Sequence, residues 1–241
     1  MRAHALHLVV SKVAAYTLPS EMKATVCALA WLLGACSADR GTTVFDLGTS
    51  FSNTQNPNGV WRYGFTTGST LSVTEFQADG FATQVGGVSF WHPDGTTGYY
   101  PYVAENPSAS TMTDATDSWA VRPDEVAMEG SALGQYSVVQ FVAPASGSYS
   151  VRADFEGIHF RISTTDVHVR QNDKPLFDAE IDGYGGDPAF HSIQGASPNA
   201  SYVGSVELQS GDVLSFAVGI GADGSNYNDT TGLFVHIVMN P

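Results

Sequence analysis

Beyond residue 36 this chain of 241 residues contains no cysteine; its only two, Cys27 and Cys36, lie near the start. The body of the protein can form no internal disulfide and must be held by its own core or by bound metal. Lysine is almost as scarce. After Cys36 only Lys174 remains, and seven basic residues stand against 23 acidic ones, a net charge of −16. A surface of that sign repels phosphate backbones, so nucleic acid is not an expected partner. It suits solubility in a saline medium and supplies oxygen ligands for calcium. No apolar run reaches the roughly 20 residues needed to span a bilayer. Catalytic signatures are missing too: there is no G-x-S-x-G elbow, no H-E-x-x-H and no EF-hand spacing. Acidic pairs abound, but a glycosidase is marked by carboxyl separation across a cleft, not by abundance. The expected protein is not an enzyme.

What is present at the start is an export signal. Met22-Lys23 precedes the apolar run Ala24–Leu33, which ends in small residues. A basic start, an apolar core of this length and small residues before a cut site make a secretory leader. Leu33-Gly34-Ala35-Cys36 resembles the bacterial lipobox, in which the Cys becomes the lipidated first residue of the mature protein. The expectation is an exported lipoprotein held to the membrane by acyl chains on Cys36. Residues 1–36 form its leader, with translation starting at Met22. Ser37 after the Cys implies, in the lipoprotein pattern, the outer membrane. An ordinary signal peptide with an incidental Cys36 is the alternative. Residues 37–43 read as a polar tether and 44–241 as one domain, a length that all-β sandwiches reach as single units.

The domain is rich in glycine and lacks sustained helical periodicity. Short alternating or β-branched runs recur instead: Val138–Val142, Tyr149–Phe155, Ile158–Ile162, Val167–Val169, Val213–Val218 and Leu233–Val238. Turn residues at 143–147 and 209–212 separate them. This pattern predicts an all-β fold, a sandwich or barrel. Residues 106–118 read as a polar surface loop. Period-2 alternation puts Tyr149, Val151, Ala153, Phe155, Ile158, Phe160, Ile162, Val167 and Val169 on a buried side. It gathers Arg152, Asp154, His159, Arg161, Asp166, His168 and Arg170 on one wet face.

Four segments carry a family resemblance: Asn56-Pro57-Asn58-Gly59-Val60-Trp61-Arg62-Tyr63-Gly64, residues 137–144, Thr165-Asp166-Val167-His168-Val169, and Asp229-Thr230-Thr231-Gly232-Leu233. They resemble a domain of secreted bacterial surface proteins, many of which carry a PEP-CTERM sorting tail. The resemblance spans roughly residues 45 to 239 and implies an antiparallel jelly-roll β-sandwich. This chain lacks the tail, so the lipid is the expected anchor. Related sequences often have His-Pro-Gly near Glu129-Gly130; the Glu departs from any shared metal role.

Three constellations are candidates for binding. Trp91, Tyr99, Tyr100 and Tyr102 offer rings that stack on sugar faces; Trp61, alternating with Arg62, reads as core. The acidic, amide-rich segment with Asp223, Asn226, Asn228 and Asp229 offers clustered oxygens for calcium, against a plain Asx-rich turn. Residues 182–187 are a weaker case of the same kind. Arg161, His168 and Arg170 on the wet face suit an anionic sugar such as a uronate, against cross-strand charge pairing. The expected function is non-catalytic glycan binding or adhesion at the cell envelope, with polysaccharide as partner and calcium as the candidate cofactor. A matrix protein that self-associates as a homo-oligomer is the second expectation, and a small glycan-degrading enzyme the third.

Overall fold

The computed structural model describes residues 41–67, 72–77, 87–93, 100–114 and 118–240. The leader, with Cys36, lies outside the described residues, as does Tyr99. Within the described residues there are strands and no helix. In chain order they are β1 (Thr43–Asp46), β2 (Trp61–Thr67), β3 (Thr74–Glu75), β4 (Ser89–Trp91), β5 (Tyr102–Glu105), β6 (Met112–Thr113), β7 (Ala120–Val121) and β8 (Val126–Glu129). There follow β9 (Gln135–Val142), β10 (Gly147–Gly157), β11 (Ser163–Gln171), β12 (Lys174–Tyr184), β13 (Gln194–Ser197), β14 (Asn199–Leu208), β15 (Val213–Val218) and β16 (Thr231–Met239).

Two antiparallel sheets face each other. The first runs β14-β10-β16-β8-β5-β4, with β1 paired to the far half of β16; the second runs β13-β12-β11-β15-β9-β2-β3. The chain passes repeatedly from one sheet to the other, between β8, β9, β10 and β11 and again between β13, β14, β15 and β16. This is a jelly-roll β-sandwich, as the sequence pattern and the resemblance led one to expect. The turns at 143–147 and 209–212 are sheet-to-sheet crossings.

Alternation builds the core. On β10, Tyr149, Val151, Ala153 and Phe155 are buried, and they oppose Met239, Ile237, Val235 and Leu233 on β16. The second sheet returns Phe141, Val139, Val167, Val169 and Phe216 to the same interior. Phe141 lies at its aromatic centre, with ring centroids 5.0 Å from Phe45, 5.4 Å from Trp61 and 5.8 Å from Tyr149. Those rings come from both sheets, so one side chain ties them together. Burying such a side chain is worth roughly 1.5–3 kcal/mol. Trp61 is core, as its alternation indicates.

One expected strand is absent. Ile158–Ile162 is the crossing from β10 to β11, with only an isolated bridge between His159 and Trp119. β10 ends at Gly157, where only glycine fits, because a Cβ there would lie 2.0 Å from the carbonyl oxygen of Gly183. Ile162 is consequently 47% exposed instead of buried. The expected single wet face is therefore not one surface. Arg152 and Asp154 stand on the first sheet and Asp166, His168 and Arg170 on the second, while Arg161 sits in the crossing.

The first sheet also buries part of its outer face. Val126 and Met128 on β8 enter the main core, while Ala127 turns the other way into a second cluster with Phe90, Tyr102, Ala104, Trp119, Val121 and Ile158. β6 lies in what reads as a surface loop from sequence and pairs with β7 just beyond it. Asn106 anchors that segment from within: it is buried, and its amide donates to the carbonyls of Ser110 and Val121 at 2.8 Å each.

Candidate functional site

Beside the second cluster lies a cavity of about 160 Å³, lined by Phe90, Tyr100, Tyr102, Asp114, Ser118, Trp119, Glu129, His159, Asn228 and Thr230. Strand geometry explains its floor. Glu129 lies on the same side of β8 as Ala127, and Tyr102 opens β5 directly across from Glu129 in the register. Thr230 precedes β16, which pairs with β8 at Met128. Sequence separations of up to 128 residues are thus closed by three neighbouring strands.

The floor is a connected polar group. Thr230 Oγ1 donates to Glu129 Oε2 at 2.9 Å, and the Tyr102 hydroxyl lies 3.2 Å from the same oxygen and 3.3 Å from Thr230 Oγ1. Burial pushes the Glu129 carboxyl up to about 8, outweighing the Thr230 and Tyr102 bonds that favour its charge; nearby Asp229 raises it further. Glu129 is therefore a neutral acid at pH 7, able to donate as well as accept. Burial likewise raises the Tyr102 hydroxyl well above its ordinary value.

The walls are largely aromatic. His159 Nδ1 accepts from the Arg161 backbone N–H at 3.1 Å, which assigns the proton of the neutral ring to Nε2. Burial holds its pKa below the ordinary histidine value. Asp114 Oδ2 accepts from the Ser118 hydroxyl at 2.7 Å. Tyr100, 40% exposed, stands with its ring centroid 5.6 Å from that of Tyr102. Tyr227, 82% exposed, adjoins Asn228 of the lining.

The sequence candidates scatter relative to this cavity. Tyr100 and Tyr102 line it, Tyr100 as an open ring and Tyr102 as part of the buried floor. Trp91 is buried in the main core, its indole N–H bonded to the Ser52 carbonyl at 2.7 Å. On the outer face of the second sheet, His168 is clamped between Asp166 at 2.8 Å and Asp178 at 2.5 Å, and Arg170 lies 3.7 Å from Asp178. Tyr136 closes the set by donating to Asp166 at 2.6 Å. Burial opposes the charge on His168, but its two carboxylate bonds outweigh burial and raise its pKa. Burial also works against the Asp166 carboxylate, yet His168, Tyr136 and Gly221 hold it at about 2. His168 and Arg170 are thus mutually paired with acids. Arg161 is exposed and makes no ion pair among the described residues.

The segment from Asp223 to Asp229 folds over the start of β11. Asp223 Oδ2 accepts from the Thr164 hydroxyl at 2.9 Å, and Asp229 Oδ1 accepts from the Thr164 N–H at 3.1 Å. Asn228 takes φ 72°, a left-handed conformation that asparagine tolerates, and its carbonyl accepts from Ser163. Asn226 is half-buried in the same turn. Burial, then the charges of Asp223 and Asp166, push Asp229 up to about 7 against its bonds to Thr164. Among the described residues, no three His, Cys, Asp or Glu side chains converge as a metal cage. Asp182 and Tyr184, in the weaker calcium candidate, belong to β12.

Phe90, Asp114, Ser118, Trp119, Glu129 and Thr230 are lining residues that sequence reasoning did not select as a site, and His159, expected on the wet face, is buried in the cavity wall instead. The available signal was an acid ending the otherwise apolar run Val126-Ala127-Met128-Glu129, a position where an ionised side chain would be costly.

No family model matches the sequence, and no curated protein matches it. Among solved structures the chain is similar to a family 35 carbohydrate-binding module from Clostridium thermocellum, at 13% identity over 62% of this chain and 86% of that one, with a TM-score of 0.28. It is similar to rabbit GITRL at 12% identity over 43% and 71%, TM-score 0.26. It is also similar to the C-terminal CBM6 of LamC from Zobellia galactanivorans at 10% identity over 47% and 77%, TM-score 0.26. A likeness this loose bears on neither ligand nor activity.

Proposed function

We propose that this is a lipid-anchored cell-envelope protein whose β-sandwich holds a neutral sugar residue in the cavity beneath Tyr100, without cleaving it. The carrying observation is the lining itself. Aromatic walls from Phe90, Tyr100 and Trp119, with the His159 imidazole, meet a floor of hydroxyl groups and the neutral Glu129 carboxyl, with no Lys or Arg among them. A cavity of about 150 Å³ accommodates a six-membered apolar ring, so 160 Å³ suits one ring of a glycan and not a long chain. Glu129 and Asp114 are both engaged by protein donors, which suits recognition of hydroxyls more than proton transfer. A lining without Lys or Arg offers a uronate carboxylate no cationic partner, which favours a neutral sugar over the uronate that the arginines suggested. Lipidation of Cys36 and an outer-membrane location remain part of the proposal, supported by the leader motif.

A glycan array probed with the protein tests this. Binding to neutral oligosaccharides, weakened about fivefold by Tyr100→Ala through loss of a stacking contact of roughly 1 kcal/mol, is the expected result. Preference for acidic glycans, abolished by Arg161→Ala and indifferent to Tyr100→Ala, would move the site to the β10–β11 crossing. Release of reducing ends from a bound oligosaccharide would make the protein an enzyme.

A further inference from the structure

The turn that supplies Asn228 and Thr230 to the cavity contains a buried carboxyl oxygen with an unmet need. Asp229 is fully buried, and its Oδ2 has no hydrogen-bond partner. Its other oxygen is used by the N–H of Thr164. The Thr164 hydroxyl has a single proton, and it lies 2.9 Å from Asp223 Oδ2 and 3.5 Å from Asp229 Oδ1. Two carboxylates therefore close on one hydroxyl, with neither Lys nor Arg within ion-pairing distance of either among the described residues. A buried, unpaired carboxylate oxygen is among the more expensive features a fold can carry. The turn around it is built to be kept. Gly221, at φ 65°, passes so close to Thr164 that a Cβ would lie 2.0 Å from its carbonyl oxygen. The Gly221 N–H is tied to Asp166 at 2.8 Å.

We infer that the Asp229 and Asp223 carboxyl groups, with the Thr164 hydroxyl between them, bind a divalent cation of the calcium type that locks the 219–230 turn beside the cavity. Calcium takes six to eight oxygens from carboxylates, hydroxyls, carbonyls and water in irregular geometry. Two carboxylates supplemented by neutral oxygens and water meet that demand, whereas zinc's nitrogen and sulfur ligands are missing from the turn. The inference stands on Asp229 and does not require the sugar reading; a protein that binds no glycan can still hold the ion.

Terbium, which replaces calcium and emits when excited through a neighbouring tyrosine, is the first probe. Tyr227 lies in the same turn. The expected result is saturable, one-equivalent emission from the full protein, displaced by calcium. Melting is the second readout. At a hundredfold excess over Kd, calcium should raise Tm by about 5–10 °C relative to chelator. Asp229→Asn should abolish both responses. Asp223→Asn, a substitution at an exposed residue, should keep the fold and weaken calcium at least tenfold. Identical melting with calcium and chelator, together with unsaturable terbium emission, overturns the inference. So does an Asp223→Asn protein that binds calcium as tightly as wild type. An Asp229→Asn protein that melts higher than a calcium-indifferent wild type would identify a protonated buried acid instead.

Discussion

Glu129 shows how far one buried acid sets the behaviour of the cavity floor. Its carboxyl titrates near 8 in the native protein, against 4.5 for an unburied one, because burial outweighs the Thr230 and Tyr102 bonds. Between those values the native protein holds a proton that the unfolded chain has released. Its contribution is complete below pH 4.5, falls as pH rises to about 8 and is level above that. The slope is at most about 1.4 kcal/mol per pH unit. Glu129→Gln removes the titration. We expect urea titrations of that variant to show a flatter decline between pH 5 and 8, and greater stability than wild type at pH 9. An unchanged slope would mean that Glu129 ionises freely. His168 behaves in the same sense for a different reason. Bound by Asp166 and Asp178, its pKa is raised, so its stabilisation is full below pH 6.5 and disappears as pH rises through the folded value. His168→Asn should therefore cost stability at pH 5.5 and little at pH 9, read in the same titrations.

At the scale of elements, what the alternation could and could not reveal depends on whether a segment stays in one sheet. Tyr149–Phe155 stays, and its period-2 pattern gave both strand and buried face correctly. Ile158, Phe160 and Ile162 show the same period, but Gly157 and Ser163 belong to different sheets. The segment between them turns, and its third apolar residue emerges into solvent. Nothing in a short alternating run reports a change of sheet; the glycine before it was the only local sign. The cavity was less legible still. Its floor joins residues 102, 129 and 230, and only the strand order of the first sheet makes them neighbours. Tyr100 was visible because tyrosines cluster there. Glu129 came into view only as a departure from a resemblance. Gly157→Ala tests the crossing. Its Cβ would meet the Gly183 oxygen, so we expect a loss well above the roughly 1 kcal/mol of an unstrained backbone change, measured as a lower urea midpoint. Arg161→Ala, in the same crossing but exposed, should stay within about 0.5 kcal/mol of wild type.

For the whole molecule, a domain that has no cysteine after residue 36 relies on side-chain packing between its two sheets. Phe141 concentrates that dependence, since its ring meets partners from β1, β2 and β10. Phe141→Ala should cost about 3–5 kcal/mol, the range for emptying a large aromatic site, and chemical denaturation would read it directly. The lipid anchor belongs to the same scale. Acyl chains contribute about 0.8 kcal/mol per buried CH₂, so more than one chain gives a stable attachment. Cys36→Ser should release the protein from the membrane fraction, and retention through a carbonate wash would show another means of attachment.

The cavity reading is tested most directly by mapping backbone amide shifts while a neutral oligosaccharide is titrated into the protein. Perturbations centred on Tyr100, Trp119, His159 and Asn228 are the predicted result. Shifts confined to Asp166, His168, Arg170 and Asp178 on the second sheet, or none at saturating sugar, would contradict it.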